Sequence, residues 1–116
     1  MLFRSGVGTV PVTEQLAKLF KLPSKGLLVE RVDPGSGADK SGVRVGKTPV
    51  VVGGQSYTLG GDVITAVDGS AVSQFEQLRD AIAAKKPGDK LKLEIFRDGS
   101  KTSVTVTLSQ APGGRR

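Results

Sequence analysis

The chain lacks cysteine, histidine and tryptophan altogether, and its aromatic residues are one tyrosine and four phenylalanines among 116 residues. The absence of cysteine excludes disulfides and thiol chemistry, and the absence of both Cys and His excludes Cys/His zinc sites. A catalytic triad with an imidazole base cannot form either. The length suits a single domain with a modest aliphatic core. The composition therefore argues against a self-sufficient hydrolase.

Acidic residues are fewer than basic ones, 11 against 17, which gives a formal net charge of +6. The excess is spread along the chain: residues 1–60 carry eight Lys/Arg against four Asp/Glu, and residues 61–116 carry nine against seven. Nucleic-acid binding usually needs clustered Lys/Arg, often with aromatic residues that stack on bases. We therefore predict no nucleic-acid partner, although a basic nucleic-acid-binding domain stays open as an alternative.

Long hydrophobic runs are also missing, because no stretch approaches the roughly 18 apolar residues of a membrane span. We predict no membrane insertion. The N-terminus has no charged-then-apolar signal pattern. The expected source is a cytosolic protein or a piece of a longer, exported one, and Met1 to Ser5 could be foreign to the natural sequence.

Alternating apolar and polar residues predict two antiparallel strands in the C-terminal half, at 90–95 and 103–108, joined by the turn pair Asp98-Gly99. Upstream, Ser73 and Glu76 have the spacing of a capping box, and the following helix is expected to run through Ala84.

The sequence of the N-terminal half predicts further short strands and a short helix. Residues 7–12 form a strand with Pro11 near its end, which places this strand at a sheet edge because proline lacks a donor. Thr13 caps a small helix. Strands follow at 26–32 and 62–67, and a hairpin turns at Gly53-Gly54. The pattern predicts an α+β fold, a small barrel or sandwich of five to six strands with two main helices, and a disordered tail over 110–116.

Candidate catalytic motifs do not fit their geometry. The segment 42–48 (GVRVGKT) is one residue short of a phosphate-binding loop, and a strand rather than a helix follows it. Neighbouring Ser-Lys pairs such as Ser100-Lys101 point to opposite faces of an extended strand. We predict no catalytic residue, no metal site and no cofactor, with a small esterase-like enzyme as the least favoured alternative.

The N-terminal edge strand is the more informative feature. An edge strand with unpaired amides is a template for an added peptide strand. Consecutive amides in the glycine-containing segment 5–8 (SGVG) could hold a carboxylate. The same glycines could equally be a flexible start.

The order of several motifs resembles a PDZ domain. These are the segments 26–32 (GLLVERV), 33–38 (DPGSGA), 42–43 (GV), 61–69 (GDVITAVDG), 86–89 (KPGD) and 97–99 (RDG). More closely, they resemble the circularly permuted PDZ domains of HtrA/Deg-type serine proteases. The resemblance implies a domain over 1–109 with an insert at 44–59, and a PDZ-like, partly open barrel or sandwich. The inserted hairpin either binds a partner or covers the sheet, and we expect its removal to leave the fold intact.

The resemblance also implies a site. In such domains a loop binds the terminal carboxylate of a peptide, which then adds as a strand beside the edge strand and the second helix. The loop corresponds to Ser5, Gly6 and Val7, although a large apolar residue is expected where Ser5 stands. The edge strand contributes Gly8, Thr9 and Val10. Val7, Leu78 and Ile82 would wall the pocket for the last peptide residue, while Phe75 and Arg79 would face the peptide further upstream.

The function implied is recognition of hydrophobic C-termini of misfolded or partner proteins, as a non-catalytic part of an HtrA/Deg-like serine endopeptidase. The implied parent lies in the bacterial envelope or periplasm, and its protease domain is a further implied partner. The isolated domain is expected to be a monomer. The alternative within the same fold is the PDZ domain of a tail-specific or intramembrane protease.

Overall fold

A computed structural model describes residues 3–4, 7–86 and 88–110. The described elements follow in this order: β1 (Phe3–Arg4), β2 (Val7–Pro11), α1 (Glu14–Phe20), β3 (Leu27–Val32), α2 (Gly37–Ser41), β4 (Thr48–Val52), β5 (Gln55–Leu59), β6 (Val63–Val67), β7 (Ser70–Ala71), α3 (Phe75–Ala83), β8 (Lys90–Arg97), β9 (Ser100–Thr107) and β10 (Ser109–Gln110). None of the helices in this part of the chain has the length and apolar character needed to cross a membrane.

The main sheet is antiparallel and has the order β2-β3-β6-β8-β9, with β7 paired to β6. The predicted β8–β9 hairpin is present. Its turn residues Asp98 and Gly99 both have positive φ, 52° and 81°, as a two-residue hairpin turn requires. β4 pairs with β5, and β1 pairs with β10, in two separate two-stranded sheets. The described strands therefore form open sheets rather than a closed barrel, and the predicted α+β fold is confirmed.

Side chains that alternate along the central strands build two separate cores on opposite faces of the sheet. On β3, Leu27 and Val29 belong to the first cluster and Leu28 to the second; on β6, Ile64 and Val63 divide in the same way. Leu78 of α3 lies in the first cluster, whereas Leu16 of α1 and Leu59 of β5 lie in the second. Each face of the sheet is thus covered by a different part of the chain.

The hairpin β4–β5 lies at the site of the predicted insert, and Gly53 and Gly54 form its turn with φ of 60° and 81°. Val50, Val52 and Tyr57 pack against the second cluster. The backbone N–H of Thr58 also donates a 2.8 Å hydrogen bond to the Glu30 carboxylate of β3. Of the two roles considered for this hairpin, covering the sheet is the one that the packing shows. That packing argues against the expectation that the insert can be removed freely.

Both predicted boundaries of helix α3 differ from the structure by one residue. Helix α3 has Gln74 as its N-cap, and the side-chain oxygen of Gln77 accepts from the N–H groups of Ser73 and Gln74 at 2.7 and 3.0 Å. The predicted partner was Glu76; Gln77 takes its place because it lies three residues after the true cap. The helix ends at Ala83, not Ala84.

The predicted tail begins one residue too early. The predicted tail includes Gln110, yet this residue pairs with Phe3 in the β1–β10 ladder. The remaining tail, 111–116, lies outside the described residues.

Candidate functional site

Strand β2 is an edge strand, as predicted from Pro11. It pairs with β3 along one side, and no other described strand pairs with it along the other. The register shifts between Gly8 and Thr9, where the pairing partner jumps from Arg31 to Val29. A β-bulge of this kind bends a strand and changes its twist at a sheet edge. The side of β2 that no described strand covers has main-chain N–H and C=O groups for a further strand.

Helix α3 lies against β2 and supplies the apolar side chains of this region. Leu78 is fully buried within the first cluster. Val7 and Ile82 are half-buried and pack against the same cluster, so the three residues belong to one core, and their role as walls of a pocket stays a prediction. Because Leu78 has no accessible surface to spare, Val7 and Ile82 are the members of the group that a ligand could still contact.

Phe75 and Arg79 lie on the exposed part of α3. Phe75 is one of the large apolar side chains that remain accessible to solvent. The Arg79 side chain is 60% exposed, and its closest ionic partner is Asp80, with a distance of 3.5 Å between Nη2 and Oδ1. An exposed pair at that distance holds its arginine only weakly. Both side chains are therefore available to a partner.

The two residues after the bulge point to opposite faces of the sheet. Val10 packs against the second cluster, away from α3, so only its backbone can serve a ligand beside that helix. Thr9 is paired with Val29, a member of the first cluster, and so shares the face that α3 covers. Its hydroxyl oxygen is buried and has no hydrogen-bond partner among the described residues. No sequence motif points to this unsatisfied hydroxyl.

The proposed carboxylate loop lies partly outside the described residues. Ser5 and Gly6 are not among them, whereas Val7 and Gly8 are. The assignment of Ser5 and Gly6 to carboxylate binding stays a prediction.

An ion pair fixes the chain just after α3. Lys85 Nζ lies 2.9 Å from Asp68 Oδ2, in the turn between β6 and β7, and Asp68 Oδ1 accepts from the N–H of Lys92. The Lys85 ammonium group, and after it the Lys92 amide, hold the pKa of Asp68 below its ordinary value, although partial burial acts in the opposite direction. Asp68 lies beside Gly69 in this turn. Its partner Lys85 could not be identified without the fold.

A second ion pair lies at the base of the inserted hairpin. The carboxylate of Asp62 is fully buried, and it accepts two hydrogen bonds from Arg97 and one from the N–H of Arg44. Arg97 also donates to the carbonyl of Gly42. The bonds to Asp62 raise the pKa of Arg97 above its already high ordinary value. Within the described ranges, no group of three acidic side chains is placed to hold a metal ion.

The sequence model of the PDZ domain family matches residues 6–108. The chain belongs to the PDZ domain family. Among curated proteins, it is similar to the periplasmic pH-dependent serine endoprotease DegQ of Escherichia coli K12, with 35% identity over 104 residues. It is also similar to the periplasmic serine endoprotease DegP of the same strain, with 31% identity over 107 residues. These matches cover 89% and 91% of this chain, and they confirm the predicted resemblance to HtrA/Deg PDZ domains.

The chain spans only about a fifth of the length of these relatives, 20% of DegQ and 19% of DegP. What it matches in them is the PDZ domain, which has no catalytic role. Solved structures show the same fold. The HtrA3 PDZ domain bound to a phage-derived ligand (FGRWV) has a TM-score of 0.70 at 21% identity, covering 98% of this chain and 94% of that one. The HtrA-type protease AlgW with decapeptide has a TM-score of 0.71 at 24% identity, covering 96% of this chain and 30% of AlgW.

Proposed function

We propose that this PDZ domain binds the C-terminal segments of other proteins by adding them as a strand to the free edge of β2. The observation that carries the proposal is the unpaired side of β2 next to α3, with Val7 and Ile82 half-buried between the two elements. Main-chain hydrogen bonds from an edge strand give affinity, and pockets for alternate side chains give selectivity. Two structurally similar proteins, HtrA3 PDZ and AlgW, have been solved with peptide ligands, which supports this use of the fold.

Each predicted site residue has a role in this proposal. The amides of Ser5, Gly6 and Val7 bind the peptide carboxylate, and the backbone of Gly8, Thr9 and Val10 pairs with the peptide strand. Val7 and Ile82 contact the last side chain of the peptide, above the buried Leu78. Phe75 and Arg79 contact residues further upstream, and the positive charge of Arg79 favours acidic ones there.

The parent protein in this proposal is a serine endopeptidase of the HtrA/Deg type. The relatives named above are periplasmic endoproteases, which supports an envelope or periplasmic location and a protease domain as a covalently linked partner. Exposed hydrophobic C-termini of misfolded proteins are the proposed substrates, and the domain by itself is a monomer. The alternative parent is a tail-specific or intramembrane protease, but the similarity to DegQ and DegP favours the HtrA/Deg type.

A titration with matched peptides tests the carboxylate contact. The pentapeptide FGRWV and its C-terminal amide differ only in the terminal charge. The free acid is expected to bind with a Kd in the micromolar range or weaker. The amide should bind at least about tenfold more weakly, because the loop amides lose a charged acceptor. An N-acetylated free acid is the control and should bind like the parent peptide. Equal Kd values for acid and amide would overturn the proposal.

A further inference from the structure

A concave surface lies on the face of the sheet opposite α3. It is a groove of about 530 Å³ beside the segment that follows α1. Three apolar residues and three lysines that line it define what we call the basic groove: Leu22, Pro23, Phe96, Lys21, Lys25 and Lys101. Leu22 and Phe96 pack against the second cluster, whereas Val7 and Ile82 pack against the first. The basic groove is therefore separate from the peptide site proposed above.

The apolar and basic residues of the groove are held together by strand register. Phe96 of β8 is paired with Lys101 of β9 on one side and with Val63 of β6 on the other. Directly paired residues point to the same face of a sheet. The lysine at the rim and the aromatic ring are thus fixed side by side. Lys21, the C-cap of α1, brings a second ammonium group to the same groove.

The three lysines of the basic groove are exposed to solvent. None of them forms an ion pair within the described part of the chain, whereas the described aspartates 62, 68 and 80 pair with other cations. A neighbouring cavity of about 310 Å³ shares Lys21, Leu22 and Phe96 with the groove and adds Phe20 and Asp98. The two cavities together are lined by three lysines and one aspartate. The local charge is positive, like that of the whole chain.

Exposed apolar surface rimmed by polar residues is a common mark of an interaction site. The volume lies within the usual range for ligand sites, roughly 300–1,000 Å³. A large aliphatic side chain of a ligand would be buried against the apolar residues of the groove and so removed from water. The lysines could donate charge-assisted hydrogen bonds to carboxylates on either side of that side chain. Phe20, partly exposed at the end of α1, extends the apolar surface along the neighbouring cavity.

We propose that the basic groove is a second binding site, for an acidic protein segment that carries one large apolar side chain between Asp or Glu residues. A nucleic acid fits less well, because the three lysines border an open, partly apolar groove rather than following a stripe along which phosphates could run. A concave groove also suits an inserted side chain better than the flat surface of a bilayer. Two protein segments could then occupy opposite faces of this domain at once.

The test uses a peptide that cannot bind through a free C-terminus, acetyl-EDLDE-amide, titrated into the full chain and followed by ¹⁵N NMR. Shifts are expected at Leu22, Lys25, Phe96 and Lys101, and not along β2 or α3. Replacing the peptide leucine by serine should weaken binding several-fold. Because this peptide has no carboxylate at its end, failure here leaves the proposed function of β2 unaffected, and failure of FGRWV to bind leaves this site unaffected.

Two charge-matched variants complete the experiment. Lys21→Glu/Lys25→Glu/Lys101→Glu should weaken binding of the acidic peptide at least about tenfold. The control Lys47→Glu/Lys90→Glu/Lys92→Glu changes the net charge equally at exposed lysines outside the groove and should change the Kd less than about twofold. Thermal unfolding checks that both variants are folded, and the leucine-to-serine peptide tests the site without any change to the protein.

Three results would overturn the proposal. Equal weakening by the two triple variants would indicate general charge attraction, and shifts confined to β2 and α3 would place the acidic peptide in the first site. Absence of any binding of the acidic peptide would also overturn the proposal. Vesicles of phosphatidylglycerol and phosphatidylcholine in equal parts form a separate arm. If these vesicles bind through the three lysines while the peptide does not, the groove recognises a lipid surface instead.

Discussion

Arg97 and Asp62 form a two-point ion pair across the sheet. Arg97 Nε and Nη2 lie 2.8 and 2.7 Å from the two carboxylate oxygens of Asp62. The carboxylate is fully buried, while the Arg97 side chain is 21% exposed. The same arginine reaches the carbonyl of Gly42, and the same aspartate accepts from the N–H of Arg44. The pair therefore joins the start of β6 and the end of β8 to the chain that enters the inserted hairpin.

Breaking this pair should cost far more stability than breaking an exposed one. Arg97→Ala leaves a buried carboxylate without its cation, and we expect it to lower the free energy of unfolding by about 3 kcal/mol. The matched control is Arg31→Ala, because Arg31 pairs with Asp33 at 3.2 Å but its side chain is 66% exposed. That change should cost less than about 1 kcal/mol. Urea denaturation of both variants measures the difference, and equal losses would show that burial does not decide the strength of the pair.

Ile82 and Arg79 should separate stability from recognition on α3. Ile82→Ala removes half-buried methylene and methyl groups from the first cluster and should cost about 2 kcal/mol, together with a loss of peptide affinity. Arg79→Ala should change stability by less than about 0.5 kcal/mol, because the side chain is largely exposed. It should lower affinity only for peptides with acidic residues upstream of the C-terminus. Denaturation and peptide titration on both variants provide the measurements. Unfolding caused by Arg79→Ala would mean that the wrong face of α3 has been assigned to the peptide.

The inserted hairpin should contribute to stability through one of its faces only. Leu59→Ala removes a buried side chain from the second cluster and should cost about 2–3 kcal/mol. Val51→Ala lies in the same hairpin but its side chain is 70% exposed, so a loss below about 0.5 kcal/mol is expected. Thermal and chemical unfolding can compare them. If Leu59→Ala is as mild as Val51→Ala, the hairpin is a surface addition and the original expectation of a removable insert is right.

The Asp68–Lys85 pair should make stability depend on acid pH. The folded pKa of Asp68 lies below the ordinary 3.8. The stabilisation is therefore complete above that pH and is lost as the pH falls through the folded pKa. Asp68→Asn should cost less than about 1 kcal/mol at pH 7, because the pair is partly exposed, and the difference from wild type should shrink at low pH. Asparagine is suited to the positive φ of this position, so the turn is retained.

A double-variant cycle controls for other effects of the same substitution. Lys85→Gln should reproduce the loss at pH 7, and the double variant should lose little more than either single one. Guanidinium unfolding at several pH values gives the data. A constant difference between Asp68→Asn and wild type at every pH would show that the ion pair does not contribute.

Patterns of adjacent residues determined much of the secondary structure of this protein. The alternation in 90–95 and 103–108, the turn at Asp98-Gly99 and the Thr13 cap each depend on a few adjacent residues, and all are present in the structure. Pro11 placed β2 at a sheet edge for an equally local reason, since proline has no N–H to donate. The order of glycine-containing motifs was enough to identify the PDZ family, because those turns and strands have fixed positions relative to each other.

The tertiary structure alone decided which distant groups meet. No local signal relates Asp62 to Arg97 or Asp68 to Lys85, because such pairs form only after strands from separate parts of the chain come together. The division of Leu27 and Leu28 between two cores, and the use of the hairpin to cover the second one, likewise depend on what lies above each face of the sheet. The basic groove has the same origin: Lys21 and Lys25 become neighbours of Phe96 and Lys101 only through the packing of α1 and its following segment on that face.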